Sequence, residues 1–367
     1  MEKILSYISN FEIQDIKRFL SKAARFFPIL IGIVCLNILV DPGDMFLEKD
    51  HARKTATQLA CGKNIGNYRP VDDVLTRKYT IEIMPVSDIV VLGSSRSAEI
   101  GENIFPNKKI MNLWISGGSL LDDLALLSVM DEQKKMPRTL IIGIDPWMFS
   151  SEPRRSETSD DIQKFLKKLG SNYHTKPSFD QSFWIILSLS YFQQAANILF
   201  THDHLFVRRN FPTDENCQKL EYTLLKDGTL SWAETYRART KEEVRQLTIP
   251  TVHIGGKMFT FKPDQALEKV MEQMILYLQS RGVEVIFYFP PYHEYAYQWM
   301  SLKEKTFKVL EMDRYFQDLA RKLKVRIIGS FDPRQFDQTG DGFYDSYHAR
   351  PDLVKKIFNS YESSPKF

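Results

Sequence analysis

Two short patterns, far apart in a chain of 367 residues, carry the residue types of nucleophilic acyl chemistry. Gly93-Ser94-Ser95 directly follows the apolar run Asp88-Ile-Val-Val-Leu92. A serine at a sharp turn after a buried strand can present its hydroxyl at the sheet edge, beside backbone N–H groups of the next helix start. Asp345-Ser-Tyr-His348 lies near the other end, followed by Ala-Arg-Pro and a helical pattern. An Asp three residues before a His can hold the imidazole Nδ1–H and leave the other nitrogen to take a proton from a serine. Ser95, His348 and Asp345 are therefore the candidate nucleophile, base and orienting acid. Each pattern alone also fits a turn serine or a helix-capping pair; their value lies in their order along the chain.

Other residues fall where a ligand would meet such a site. Arg96 is poised to contact an anionic substrate or Asp145, or to serve structure alone. Ser116-Gly117-Gly118 and Asp145-Pro146 each end an apolar run. Pro290-Pro-Tyr292-His293 ends another, which makes Tyr292 and His293 candidates for lining a substrate groove. His202-Asp203-His204 has metal-binding residue types, but adjacent residues rarely point at one ion. Cys35, Cys61 and Cys217 have no zinc-site spacing. No metal or organic cofactor is expected.

The positioning elements alternate. Apolar strands are expected at 88–92, 109–113, 138–144, 283–289 and 325–328, with helices at 120–130, 264–281, 303–324 and 351–361. Such alternation implies a parallel sheet covered on both faces, with ligands at the carboxyl ends of its strands. Residues 44–86 read as a polar helical connector and 87–367 as the α/β domain. An insertion at about 146–262 interrupts that domain, carrying an apolar aromatic helix (183–200) and a hairpin with Asp227-Gly228 at its turn.

Residues 1–43 read differently. Phe26 to Val40 contains no charge, Lys17, Arg18, Lys22 and Arg25 precede it, and Asp41-Pro42-Gly43 ends it. A buried soluble helix and a cleaved signal peptide are alternatives, but no small-x-small cleavage site follows. The charge asymmetry favours an uncleaved single-pass anchor with a cytoplasmic N-terminus and an extracytoplasmic remainder, periplasmic or at the cell surface. Cys61 and Cys217 would then be the exported thiols and could pair. A net charge of +3 gives no sign of a nucleic-acid partner.

The order of these blocks resembles the SGNH (GDSL-like) hydrolase superfamily. Gly93-Ser94-Ser95 is similar to its nucleophile block, Asn112-Leu-Trp-Ile-Ser-Gly117-Gly to its second block, and Asp345-x-x-His348 to its last. The resemblance implies a three-layer flavodoxin-like parallel sheet with a large insertion, and an oxyanion donor at Gly117. The third block departs, since Asp145 stands where the family commonly has an Asn donor. The anchored branch acting on cell-envelope polymers, including lipoteichoic-acid D-alanylation and alginate O-acetylation proteins, looks closest. That likeness implies an esterase or O-acyltransferase acting on an exported glycopolymer beside a membrane-bound O-acyltransferase. The alternatives are a non-catalytic polymer-binding or scaffolding partner of that enzyme, and a soluble flavodoxin-like protein with a buried first helix.

Overall fold

The computed structural model describes residues 15–40 (apart from 16, 19 and 23), 48–68, 73–149, 159–175, 187–200, 211–213, 222–256, 259–262, 264–337 and 340–362. The chain divides into two compact units, Met1–Glu48 with Asp180–Arg209, and Lys49–Phe179 with Asn210–Phe367. Numbered along the chain, the smaller unit holds helices α1 (Phe27–Val40) and α6 (Leu189–Phe200). Among the described residues no helix is long and apolar enough to cross a membrane.

The larger unit contains α2 (Glu48–Ala60), β1 (Asn64–Gly66), α3 (Asp73–Ile83), β2 (Ile89–Leu92), β3 (Ile110–Asn112), α4 (Leu120–Glu132), β4 (Thr139–Gly143) and α5 (Ser159–Lys168). After the excursion into the smaller unit come β5 (Phe211–Thr213), β6 (Thr223–Leu224), β7 (Leu230–Ser231), α7 (Lys241–Ile254), α8 (Gln265–Ser280) and β8 (Glu284–Phe289). The chain continues with α9 (Glu294–Leu302), α10 (Val309–Leu323), β9 (Arg326–Gly329) and α11 (Pro351–Glu362).

A five-stranded parallel sheet in the order β3-β2-β4-β8-β9 is the centre of this unit. Successive strand residues point to opposite faces, so each strand must be apolar on both sides. Val90, Leu92, Leu140, Ile142, Phe287 and Phe289 pack with α3, α4, α8 and α10. Ile89, Val91, Ile141, Ile286 and Tyr288 pack with α11. The result is an α/β fold with helices on both faces. Strand order reverses beside β2, the position at which such sheets open a crevice for ligands.

The helix ends follow local chemistry. Asp264 caps α8 by accepting from the N–H of Ala266 and Leu267 at 3.0 and 3.2 Å. Gly282, at φ +78, then turns the chain into β8. The helix expected over 303–324 is instead broken. Lys308 adopts φ +56, and α10 starts only at Val309. The carbonyl of Phe307 accepts from Phe261 N–H, and Phe307 and Val309 are both buried. Burial of both side chains redirects the backbone.

The stretch expected to be a polar connector is built into the α/β unit. β1 joins a second, antiparallel sheet in the order β5-β1-β6-β7, and Asp73 and Arg77 of α3 are 1% and 0% exposed. The expected hairpin at Asp227-Gly228 forms between β6 and β7. Its turn presses on β3, where Asn112 N–H donates to the Asp227 carbonyl at 2.7 Å. The His202-Asp203-His204 cluster and Cys217 lie outside the described residues, and Cys61 is exposed with no disulfide partner among the described residues.

Gly228 has φ +86, and a Cβ there would sit 2.0 Å from the carbonyl oxygen of Asn112. Gly228→Ala should therefore destabilise the protein by about 3 kcal/mol, combining backbone strain with overpacking. Gly62→Ala, at φ +76 but facing open space, should cost only about 1 kcal/mol. Urea unfolding of both variants measures the difference; equal losses would contradict the close hairpin contact.

Candidate active site

Ser95 begins a single 3₁₀ turn directly after β2, and its predecessor Ser94 caps that turn by accepting from Arg96 N–H at 3.2 Å. Asp345 and His348 lie in the loop before α11. The two ends meet. Ser95 Oγ is 2.9 Å from His348 Nε2, and His348 Nδ1 is 2.8 Å from Asp345 Oδ2. The other carboxylate oxygen accepts from the N–H groups of Tyr347 and His348 at 3.0 and 2.9 Å. Burial opposes charge on Asp345, but the facing His348 ring and these two N–H groups outweigh it and hold the carboxyl below its usual range. The arrangement can deprotonate a serine hydroxyl and stabilise the imidazolium that forms.

The turn after β3 lies against the turn after β2. Ile115 N–H donates to the Gly93 carbonyl at 2.9 Å, and a Cβ on Gly118 would come within 3.1 Å of the same oxygen. Gly117 adopts φ +56. Among the described residues no backbone carbonyl accepts from its N–H or from that of Ser95. Asn112 couples the two turns, its Nδ2 donating to the carbonyls of Ser97 and Ile100 at 2.8 and 2.9 Å. From α3, Asp73 Oδ2 accepts from Ser116 N–H at 2.8 Å, and Arg77 Nε donates to the Trp114 carbonyl at 3.1 Å. Two residues of the supposed connector thus hold the turn that carries Gly117.

Arg96 and Asp145 pair with each other. Arg96 is 3% exposed and Asp145 is 1% exposed. The guanidinium donates to Asp145 Oδ1 at 2.9 Å, to the carbonyls of Pro290 and Pro291 at 2.6 and 3.1 Å, and to the Tyr347 carbonyl at 3.2 Å. Burial pushes the Asp145 carboxyl up, with Arg96 opposing that rise. An ionised Asp145 has no hydrogen to give an oxyanion, and the contact with Asp145 is the one of the readings left open for Arg96 that the structure shows.

Tyr292 and His293 are likewise corrected as groove residues. Tyr292 is wholly buried, with its ring 3.9 Å from the Arg96 guanidinium carbon. Burial, largely, lowers the proton affinity of His293, whose Nδ1 accepts from Tyr295 N–H at 3.2 Å to cap α9. Its backbone N–H donates to the Ser346 carbonyl at 3.0 Å, so it supports the triad loop from behind.

The insertion supplies a wall absent from the sequence reading. Trp232 packs 4.5 Å from the His348 ring and stacks on Tyr344 at 5.1 Å. Tyr236 and Tyr222 extend this aromatic group. Arg350 fastens it to the triad loop by donating to the carbonyls of Arg237 and Arg239 at 2.8 and 2.7 Å and to that of Phe343 at 2.9 Å. Among the described residues no group of His, Cys, Asp and Glu could hold a metal ion.

No protein-family model matches the sequence, and no curated protein matches it.

Arg96→Met would leave the buried Asp145 carboxylate without its partner and should cost about 3–5 kcal/mol of stability. The double variant Arg96→Met with Asp145→Leu should recover much of that loss. Denaturant unfolding of the four proteins of this cycle tests the pairing; additive losses would contradict it.

Proposed function

We propose that this chain is a membrane-anchored serine esterase or O-acyltransferase of the SGNH type, acting on an exported glycopolymer. The observation that carries the reading is the hydrogen-bonded series from Ser95 through His348 to Asp345. His348 takes the Ser95 proton as the serine oxygen attacks an acyl carbonyl. Asp345 keeps the imidazole in the productive orientation, and the N–H groups of Ser95 and Gly117 receive the oxyanion. The tetrahedral intermediate then expels its alcohol, protonated by His348, leaving an acyl-serine. Water or a sugar hydroxyl, deprotonated in turn by His348, releases the acyl group.

Three further features support this reading. Counted along the chain, the sheet order is 2-1-3-4-5, that of flavodoxin-like folds. The serine and the histidine approach the site from the first strand and from before the last helix, as in the SGNH blocks. The half-buried rings of Tyr222 and Tyr236, packed on Trp232, suit stacking on a carbohydrate. Placement of the catalytic unit outside the cytoplasm rests on the basic residues before α1. A membrane-bound O-acyltransferase is the partner that the resemblance implies. The second reading, a polymer-binding scaffold for such an enzyme, draws on Asp145, which as a carboxylate removes one oxyanion donor.

Acyl-ester turnover by purified full-length protein separates the two. Ser95→Ala should lower turnover by about a thousandfold or more, and His348→Ala nearly as much. Ser94→Ala should stay within about tenfold of the parent, because its buried hydroxyl serves the Arg96 N–H and not the reaction. If Ser95→Ala also left polymer acylation in cells at the parent level, the scaffold reading would replace the enzymatic one.

A further inference from the structure

The apolar surface of the protein is unevenly shared. Sixteen large hydrophobic side chains are exposed among the described residues, and ten belong to the smaller unit. On α1 they include Phe27 (61%), Ile31 (48%) and Leu39 (81%), and on α6 Leu189 (63%) and Leu199 (38%). Soluble surfaces rarely gather apolar side chains in this way.

Within this unit the two helices pack together. Tyr191 and Ala195, one turn apart on α6, are buried, as is Asn37 on α1. The remaining surface of α6 divides in two. Ser190, Gln193, Gln194 and Asn197 form an exposed polar arc. Leu189 and Leu199 lie on an apolar arc between that polar face and the face buried against α1. The sequence from Phe183 to Phe200 contains no charged residue. α6 itself has 12 residues, a rise of about 18 Å against a hydrocarbon core of about 30 Å. A helix of this length and polarity enters a membrane interface without crossing it.

We propose that α6 is a second membrane contact, an interfacial helix laid against α1 with lipid covering the outer apolar arcs of both. The helical backbone satisfies its own hydrogen bonds, and the polar arc faces the headgroups. Lys17, Arg18, Lys22 and Arg25, all exposed ahead of α1, match the anionic cytoplasmic leaflet at the other end of the α1 anchor against which α6 lies. This inference rests on the membrane anchoring proposed above and adds to it. The chain leaves the α/β unit for the smaller unit at Phe179 and returns at Asn210. With α6 in the interface, the catalytic unit is tethered to the membrane through three chain connections instead of one.

Lipid quenching tests the proposal in the full-length chain. Cys35, Cys61 and Cys217 are replaced by Ser, and an environment-sensitive fluorophore is placed on Leu199→Cys, Leu39→Cys or Leu302→Cys. Each protein is reconstituted into vesicles of mixed zwitterionic and anionic lipid, with or without brominated acyl chains. Leu302 is the control, an 80% exposed leucine of the α/β unit. Bromolipid should quench the probes at Leu199 and Leu39 alike and leave Leu302 unchanged. Quenching at Leu39 with Leu199 at the Leu302 level would keep the anchor and overturn the α6 contact, leaving a protein partner to cover that helix. Loss of quenching at both would overturn the anchoring as well, and equal quenching at all three would mean unspecific adsorption and also count against the proposal.

Discussion

The buried guanidinium of Arg96 is the constraint on which the site depends. It sits between the ends of three strands and the triad loop, bound to Asp145, to the carbonyls of Pro290 and Pro291, and to that of Tyr347. Arg96 is the chain neighbour of Ser95, and Tyr347 that of His348. One planar cation therefore fixes Ser95 and His348 relative to each other. Removing a guanidinium from water is costly unless every face is met, and here Tyr292 covers the ring side while oxygen atoms take the N–H groups. A carboxylate at Asp145 supplies the counter-charge that the arginine needs.

Around this centre, support comes from segments outside the parallel sheet. Asp73 and Arg77 hold the turn of Gly117 from α3, and the β6–β7 hairpin holds the strand that leads into it. Trp232 lies on the imidazole, and Arg350 joins its neighbourhood to the loop of Asp345. Catalytic groups are held within a few tenths of an ångström only when such outer contacts lock their rotamers. The connector and the insertion are thus parts of the site as much as the strands are.

The strands and the triad were legible in the sequence because their signals are local. A buried parallel strand is an apolar run closed by turn residues, and Ser95, Asp345 and His348 sit at two such closures. Asn112 and Gly117 stood out at the turn after β3, although the bonds Asn112 makes were not legible. What stayed hidden depends on distance along the chain. Whether Arg96 meets a ligand or Asp145 is decided by partners 49 and 194 or more residues away. Trp232 carries no local mark of its place beside His348. Tyr292 and His293 looked like groove residues because they end a strand on the ligand edge, but burial and helix capping claim them. The break at Lys308 was missed because the packing that buries Phe307 and Val309 involves partners as remote as Phe261.

The central claim is that Ser95 is an activated hydroxyl, and a fluorophosphonate probe reads this directly. Attack of the Ser95 oxygen on phosphorus expels fluoride and leaves a stable phosphonyl ester, visible as an added mass on the intact protein. The account predicts one label per chain, on the peptide containing Ser95, with its rate collapsing in His348→Ala and persisting in Ser94→Ala. A label on Ser94, or none on folded wild-type protein, would contradict it.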